Sequence, residues 1–291
     1  MTQVLANILI SASIICLVGI GFSIIFVSHR FFNLSFAIIF TIGAYLTLLF
    51  HLTNGIPLIF AVALSIIISC IINIVLELLV FFPLKRKKVS ANVLLITSLG
   101  IYIIMQNLIS ISFGDSIQNI QPGRRYNIFN IYEAKTTSIQ ILTIILCIIF
   151  MSFSIILFKK ARIGKKIRAI ASDLNLSRIS GINIKNVIFN TVIIGSMFAS
   201  FAGILFALDV NMTPTMGMNI LMMGIVAMII GGVGSIPGIA LGSLFLAFAQ
   251  NFGVWKISSQ WQDAIAFGIL LVFLIFRPQG FLGKKIKKAT V

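Results

Sequence analysis

Acid is what this chain has least of. Six Asp and Glu stand against 22 Lys and Arg in 291 residues, a formal net charge of +16. Only Glu77 lies well inside a long apolar run. No pair of intramembrane carboxylates is therefore available for acid–base work, and a proton relay of buried acids has a single member. Histidine is as scarce: His29 and His51 are the only two, and they fall at opposite ends of apolar runs. They are expected to be interfacial and too far apart to share a metal. No HExxH and no Ser/His/Asp set occurs. Cys16, Cys70 and Cys147 sit within apolar runs without CxxC or metal spacing, which reads as packing. The glycine-rich stretch Gly231-Gly232-Val233-Gly234-Ser235 is not followed by Lys-Ser/Thr, so it is not a phosphate loop. These absences exclude a membrane enzyme and a chain that harvests ATP by itself.

What is present is apolar. The sequence is 59% hydrophobic and 10% charged, with a mean hydropathy of +1.13, and it reads as one polytopic, all-α membrane domain spanning 1–291. About 20 apolar residues cross a bilayer. Runs near that length cover 4–27, 34–50, 58–82, 91–113, 139–158, 187–208, 219–236, 238–253 and 261–276. Val4–Val27 lacks the basic flank and cleavage site of a secretory signal and is expected to be a retained span. Pro83 is expected to end the third run. The run at 238–253 is short, so 219–253 makes either two crossings or a re-entrant pair packed in protein, giving eight or nine membrane helices. The segment 114–138 reads as a long polar loop.

Charge orients the runs. With the 28–33 turn, Lys85–Lys88, the 159–186 loop and the C-terminal tail on one side, eighteen of the 22 cations share that side. The other side keeps Arg124, Arg125, Lys135 and Lys256. Positive charge marks the cytoplasm, so the N-terminus is expected outside and the C-terminus inside. The positives flank membrane runs, which fits anionic lipid rather than nucleic acid. The segment Lys159–Lys185 carries eight of them and one acid, Asp173. From Lys165 to Ser177 it has no Gly or Pro, and Ile167, Ile170, Ala171 and Leu174 recur at helical spacing. Gly181 is expected to stop this short amphipathic helix in a positive-φ conformation. It is either a solvated topology anchor or a docking surface for a cytoplasmic partner.

Two further features invite a role. Glu77, with Asn73 four residues before it on the same face, lies near the Lys85–Lys88 cluster; it is either an interfacial ion pair or a functional carboxylate. The 231–238 glycine stretch is either a site of close helix approach or a kink lining a pathway.

Four stretches carry a resemblance. GIGFSIIFVSHRFFNLSFAIIFTIGAY at 19–45, RAIASDLNLSRISGI at 168–182, FASFAGILFAL at 198–208 with GGVGSIPGIALGS at 231–243, and FRPQGFLG at 276–283 follow in order. Together they resemble the permease subunit of branched-chain amino acid ABC importers, the Liv type. The resemblance implies a helical ABC-importer permease that pairs with a second permease, similar or identical. It also implies two cytoplasmic ATP-binding subunits, an extracytoplasmic solute-binding protein, no cofactor of its own and a bacterial inner-membrane location. Arg168, Ala169, Asp173, Gly181 and Ile182 match the family's ATPase-coupling loop. Asn33, Ser35, Phe36, Gly43 and Tyr45, with Gly231, Gly232 and Gly234, become candidates for the translocation path. After Asn33 the family commonly places a polar side chain between two small residues, where this chain has Ser35-Phe36-Ala37, and those members with an acidic residue next would have it where this chain has Ile38. The path is expected to be more apolar there. The competing reading is a secondary transporter of a small amino-acid-like or urea-like solute, which would show broken helices at matching places in two halves.

Overall fold

The computed structural model describes residues 2–120, 128–131, 134–256 and 258–283. Arg124, Arg125, Glu133, Lys284, Lys285, Lys287 and Lys288, which enter the charge count, lie outside them. The helices run α1 Thr2–His29, α2 Phe36–Leu48, α3 Leu58–Leu76, α4 Phe82–Arg86, α5 Ala91–Phe113, α6 Ser138–Lys160, α7 Arg162–Ser172, α8 Leu174–Ile179, α9 Ile184–Asp209, α10 Met216–Gly231, α11 Ile236–Lys256 and α12 Gln262–Phe276. Among the described residues eight helical spans are long and apolar enough to cross a membrane, once α2 is counted with the turn that follows it as Phe36–Thr53, α3 with α4 as Leu58–Arg86, and α12 with the turn before it as Ser259–Phe276; α10 is a shorter apolar helix. At 16 residues α10 is about 24 Å long. The run expected to be short, by contrast, extends over 21 residues as α11.

Uniform hydrophobicity hides two kinds of helix. In water an all-apolar helix would be central. Here α1 is central, with 89% of its most apolar window buried, while α12 has 6%. The peripheral helices α3, α5, α6 and α12 expose large aliphatic and aromatic side chains such as Ile59, Ile111, Ile156 and Phe276. Lipid tails solvate these as well as a protein core would, so the sequence need not distinguish the two. α1 packs against α6, α9, α10 and α11, and α2 against α3, α5, α9 and α10. Where α2 crosses α9 there is no room for side chains. A Cβ on Gly43 would meet the Ser200 backbone at 2.8 Å, and one on Gly203 would collide with the Phe40 carbonyl oxygen.

Pro83 does not end the third span. A π-turn over Glu77–Phe81 widens the helix, and α4 continues with Pro83 in its first turn, where the missing N–H costs least. The wider turn matters because Glu77 and Lys85 are eight residues apart, about 2.2 turns of a regular helix. Widening one turn brings them into phase.

The two ends of the bundle differ. One carries α4, α7, α8 and Arg30, and is called the basic end. The other carries a two-stranded antiparallel hairpin, β1 Ile128–Ile131 and β2 Ala134–Thr137, pairing Ile128 with Thr137 and Ile131 with Ala134. The sequence read as a plain loop there, because strands of only four residues, Ile-Phe-Asn-Ile and Ala-Lys-Thr-Thr, are too short to show a periodicity.

Candidate functional site

The basic end holds the buried ionisable pair Glu77 and His29, whereas the buried polar side chains elsewhere in the described core are mostly hydroxyls such as Thr41, Ser69 and Ser243. Glu77 is 3% exposed and holds two partners at once. Its Oε2 lies 3.0 Å from His29 Nε2, and its Oε1 accepts from Lys85 Nζ at 2.7 Å. His29 Nδ1 lies 3.1 Å from the Ile25 carbonyl oxygen. The hydroxyls of Ser28 and Thr191 meet at 2.8 Å, joining α1 to α9. One turn before Glu77, Asn73 Nδ2 donates to Ser196 Oγ at 2.6 Å, joining α3 to α9. His29 is thus a fully buried member of the cluster, whereas the sequence placed it at an interface. The signal was there: Ser28-His29-Arg30 ends an apolar run on the same side as Glu77. Lysine heads rest on aromatic faces around the cluster, Lys85 at 5.6 Å from the Phe31 centroid and Lys185 at 4.9 Å from that of Phe82.

Next to this cluster lie α7 and α8. The segment expected as one helix is two. Asp173 breaks it with extended backbone at φ −149°, ψ 120°. Its Oδ1 accepts from Leu176 N at 3.0 Å and its carbonyl from Ser177 N at 3.1 Å, so the carboxylate that could have continued α7 instead caps α8. Gly164, Ile167 and Ile170 form the buried face of α7, while Ala171 is exposed. Arg168 is exposed and Ala169 half-buried, its carbonyl accepting from Asp173 N. Gly181 follows α8 at φ +76° with open space around it, and Ile182 packs its half-buried side chain on the core. α8 presents Leu176 at 62% and Ile179 at 84% exposure, one helical turn apart on an otherwise basic surface.

The other candidates lie deeper. Asn33, Ser35, Phe36, Gly43 and Tyr45 are all buried within the chain. Asn33 Oδ1 accepts from Ser35 N at 3.2 Å and Ser35 Oγ at 2.6 Å, while the first three N–H groups of α2 donate to the backbone carbonyls of Asn33, Leu34 and Ser35. Phe36 packs its ring 5.9 Å from Phe22. Tyr45 lies 5.0 Å from the Phe113 ring, and its hydroxyl has no hydrogen-bond partner among the described residues. Gly231 abuts the Gly238 carbonyl. Gly232, at φ +104°, touches Gly283. Gly234 is exposed and donates its N–H to Ser23 Oγ at 3.3 Å. Two motifs quoted separately from the sequence meet here: Phe281 N donates to Ile230 O at 2.8 Å and Leu282 N to Gly231 O at 3.0 Å. The FRPQGFLG tail is therefore the C-cap of α10.

At the hairpin end an open cavity of about 300 Å³ lies between α9, α10 and the loop after α5, lined by Ile117, Phe206, Asn211, Met216, Asn219 and Ile220 among others. It is mainly apolar with a few amides. Nothing in the sequence marked it, because its lining comes from three separate segments.

Comparison with known proteins shows which class the chain belongs to. The sequence matches the family described as branched-chain amino acid transport system / permease component over residues 4–274. The high-affinity branched-chain amino acid transport system permease protein BraD of Pseudomonas aeruginosa is 30% identical over 296 residues, covering 97% of this chain and 95% of its own. LivH of Escherichia coli K12, named for the same transport system, is 27% identical over 285 residues, covering 92% and 91%. Among solved structures, a chain of PsaBC from Streptococcus pneumoniae in complex with Fab has a TM-score of 0.54 at 14% identity, over 95% of this chain and 93% of that one; the likeness is one of fold. The match over nearly the whole chain, on a fold of eight long apolar helices, places this protein in the family of permease components of branched-chain amino acid transport systems.

Proposed function

We propose that this chain is the membrane-spanning subunit of an ABC importer that passes branched-chain or other apolar amino acids from a solute-binding protein to the cytoplasm. A second permease, similar or identical, completes the pathway, and two cytoplasmic ATP-binding subunits drive it. The observation that carries this reading is α8, which packs on α7 and holds Leu176 and Ile179 exposed within the basic Lys159–Lys185 segment. Apolar side chains fixed on a basic surface suit insertion into a groove of a partner protein. Displacement of α7 and α8 on ATP binding would then move the spans as rigid bodies between two access states. The family relation supplies the solute class, and the apolar cavity at the hairpin end agrees with it. In this arrangement the basic end is cytoplasmic, the hairpin end faces outward, and the N-terminus is outside.

The deciding experiment is uptake into vesicles holding the permease pair, both ATPases and the binding protein. ATP-dependent leucine accumulation, competed by isoleucine and valine, is expected. Uptake of leucine that continues without ATPases and follows an ion gradient would overturn the importer reading in favour of a secondary transporter. Orientation is checked with single cysteines replacing Ser116 and Arg178, in a background lacking the three native ones, and an impermeant thiol reagent on intact cells. Labelling at 116 alone is expected, and labelling at 178 alone would reverse the topology.

A further inference from the structure

Arg30 occupies an unlikely backbone position. It follows the last residue of α1 and donates its N–H to the Phe26 carbonyl at 2.8 Å, with φ +58°. That left-handed site after a helix normally takes Gly or Asn, because a Cβ is strained there. Strain of this kind persists where the side chain is needed elsewhere. Its side chain reaches across to α7, where Nη2 donates to Ile170 O at 2.7 Å and to Ala171 O at 3.0 Å. These carbonyls belong to the last turn of α7, which lacks helical partners and carries the negative end of the helix dipole. A guanidinium there is held both by hydrogen bonds and by charge.

The segment after Arg30 has no slack. Phe31 is 3% exposed, with its ring 5.8 Å from His29 and 5.6 Å from Phe81. Leu34 N donates to Ser98 Oγ at 3.0 Å, and Asn33 and Ser35 close the start of α2. Apolar contact through Ile167 and Ile170 would let α7 slide over the bundle; two hydrogen bonds to one guanidinium fix its register. We propose that Arg30 is the positioning residue that ties α7 to the α1–α2 turn, so that displacement of α7 and α8 is delivered to the Asn33–Phe36 segment at the head of α2. The proposal rests on the reading of α7 and α8 as the ATPase-docking element.

The complete transporter in vesicles supplies the test, with three variants. Arg30→Gly removes the guanidinium and also relieves the positive φ. Arg30→Lys keeps the charge and the strained backbone but not the planar fork. Leu176→Asp/Ile179→Asp attacks the docking face itself. Co-purification of the ATPases, their hydrolysis rate and [14C]leucine uptake are measured together. Arg30→Gly is expected to keep its ATPases and their hydrolysis while uptake per ATP falls by about tenfold or more, with Arg30→Lys in between. Unchanged uptake per ATP in Arg30→Gly would overturn the proposal. So would loss of the ATPases in that variant, because Arg30 would then merely shape the docking surface. If the Leu176→Asp/Ile179→Asp variant keeps its ATPases and full uptake, the docking reading fails, and the proposal fails with it.

Discussion

The two ends of the bundle are held together by different means. At the basic end the links are side chains, most of them buried, and the strongest are charged: Glu77 with Lys85 and His29 in the interior, and Arg30, itself exposed, with the end of α7. Ser28–Thr191 and Asn73–Ser196 add neutral bonds to α9. At the hairpin end the links are backbone and amide bonds near the surface. Gln118 and Met212 exchange backbone bonds at 3.0 Å, Gln3 bonds the Lys135 backbone, and Gln140 donates to Asp209 at 3.0 Å. A cavity separates the elements there. In an apolar medium a satisfied polar cluster has no competing water, and its alternatives are costly, so it holds one geometry. Surface amide bonds exchange with water at little cost. The basic end is therefore built to move as one body, and the hairpin end to rearrange around its cavity.

The comparison is broken most directly at Glu77. Glu77→Ala leaves Lys85 and His29 buried without their shared carboxylate, and about 3–5 kcal/mol of stability is expected to be lost. Thermal unfolding of the purified permease in detergent checks it. Replacing Lys85 by Met in the same molecule should recover part of the loss, since one uncompensated charge is then gone. Next in size is Gly43→Leu, which drives a side chain into the Ser200 backbone at the α2–α9 crossing. A loss of about 1–3 kcal/mol, the range for overpacking, is expected in the same assay. Gly181→Val acts on the backbone alone, because nothing lies within 4 Å of its would-be Cβ while φ is +76°. A cost of about 1–2 kcal/mol is expected, with uptake per ATP reduced and the protein still in the membrane. The smallest effect belongs to the hairpin end. Gln140→Ala removes the bond to Asp209 and half of the Thr137 capping box, about 1 kcal/mol. Equal losses from Glu77→Ala and Gln140→Ala would erase the distinction between the ends.

Helices were legible because long apolar runs leave the chain no alternative, and α5 follows its expected bounds of 91–113 residue for residue. Which helix is central was not, since lipid and core demand the same side chains. Pro83 misled because the signal is local, whereas the π-turn that accommodates it serves a contact between Glu77 and Lys85. Asp173 misled in the other direction. It was counted as one acid among cations, while its capping bond to Leu176 sets where α7 ends. Glu77 stood out by its isolation, and Lys85 by its proximity. His29 did not, because pairing it with Glu77 needs the end of α1 to meet the π-turn that follows α3. Arg30 appeared in the sequence only as one charge in a topology count; its conformation and its reach to α7 are tertiary facts. The glycine motifs were recognised as packing or kinks, and the partner of one of them, the FRPQGFLG tail, became visible only in three dimensions.

The central claim is that α7, the α1–α2 turn and the Glu77 cluster move together while the hairpin end opens and closes. Dipolar coupling between paired spin labels in the complete transporter tests it, with and without ATP, in a background free of Cys16, Cys70 and Cys147. One pair, replacing Lys87 and Ala171, spans the basic end; the other, replacing Ile117 and Asn219, spans the cavity. The account predicts that the 117–219 coupling changes on ATP binding and the 87–171 coupling stays fixed. A change at 87–171 with 117–219 fixed would contradict it.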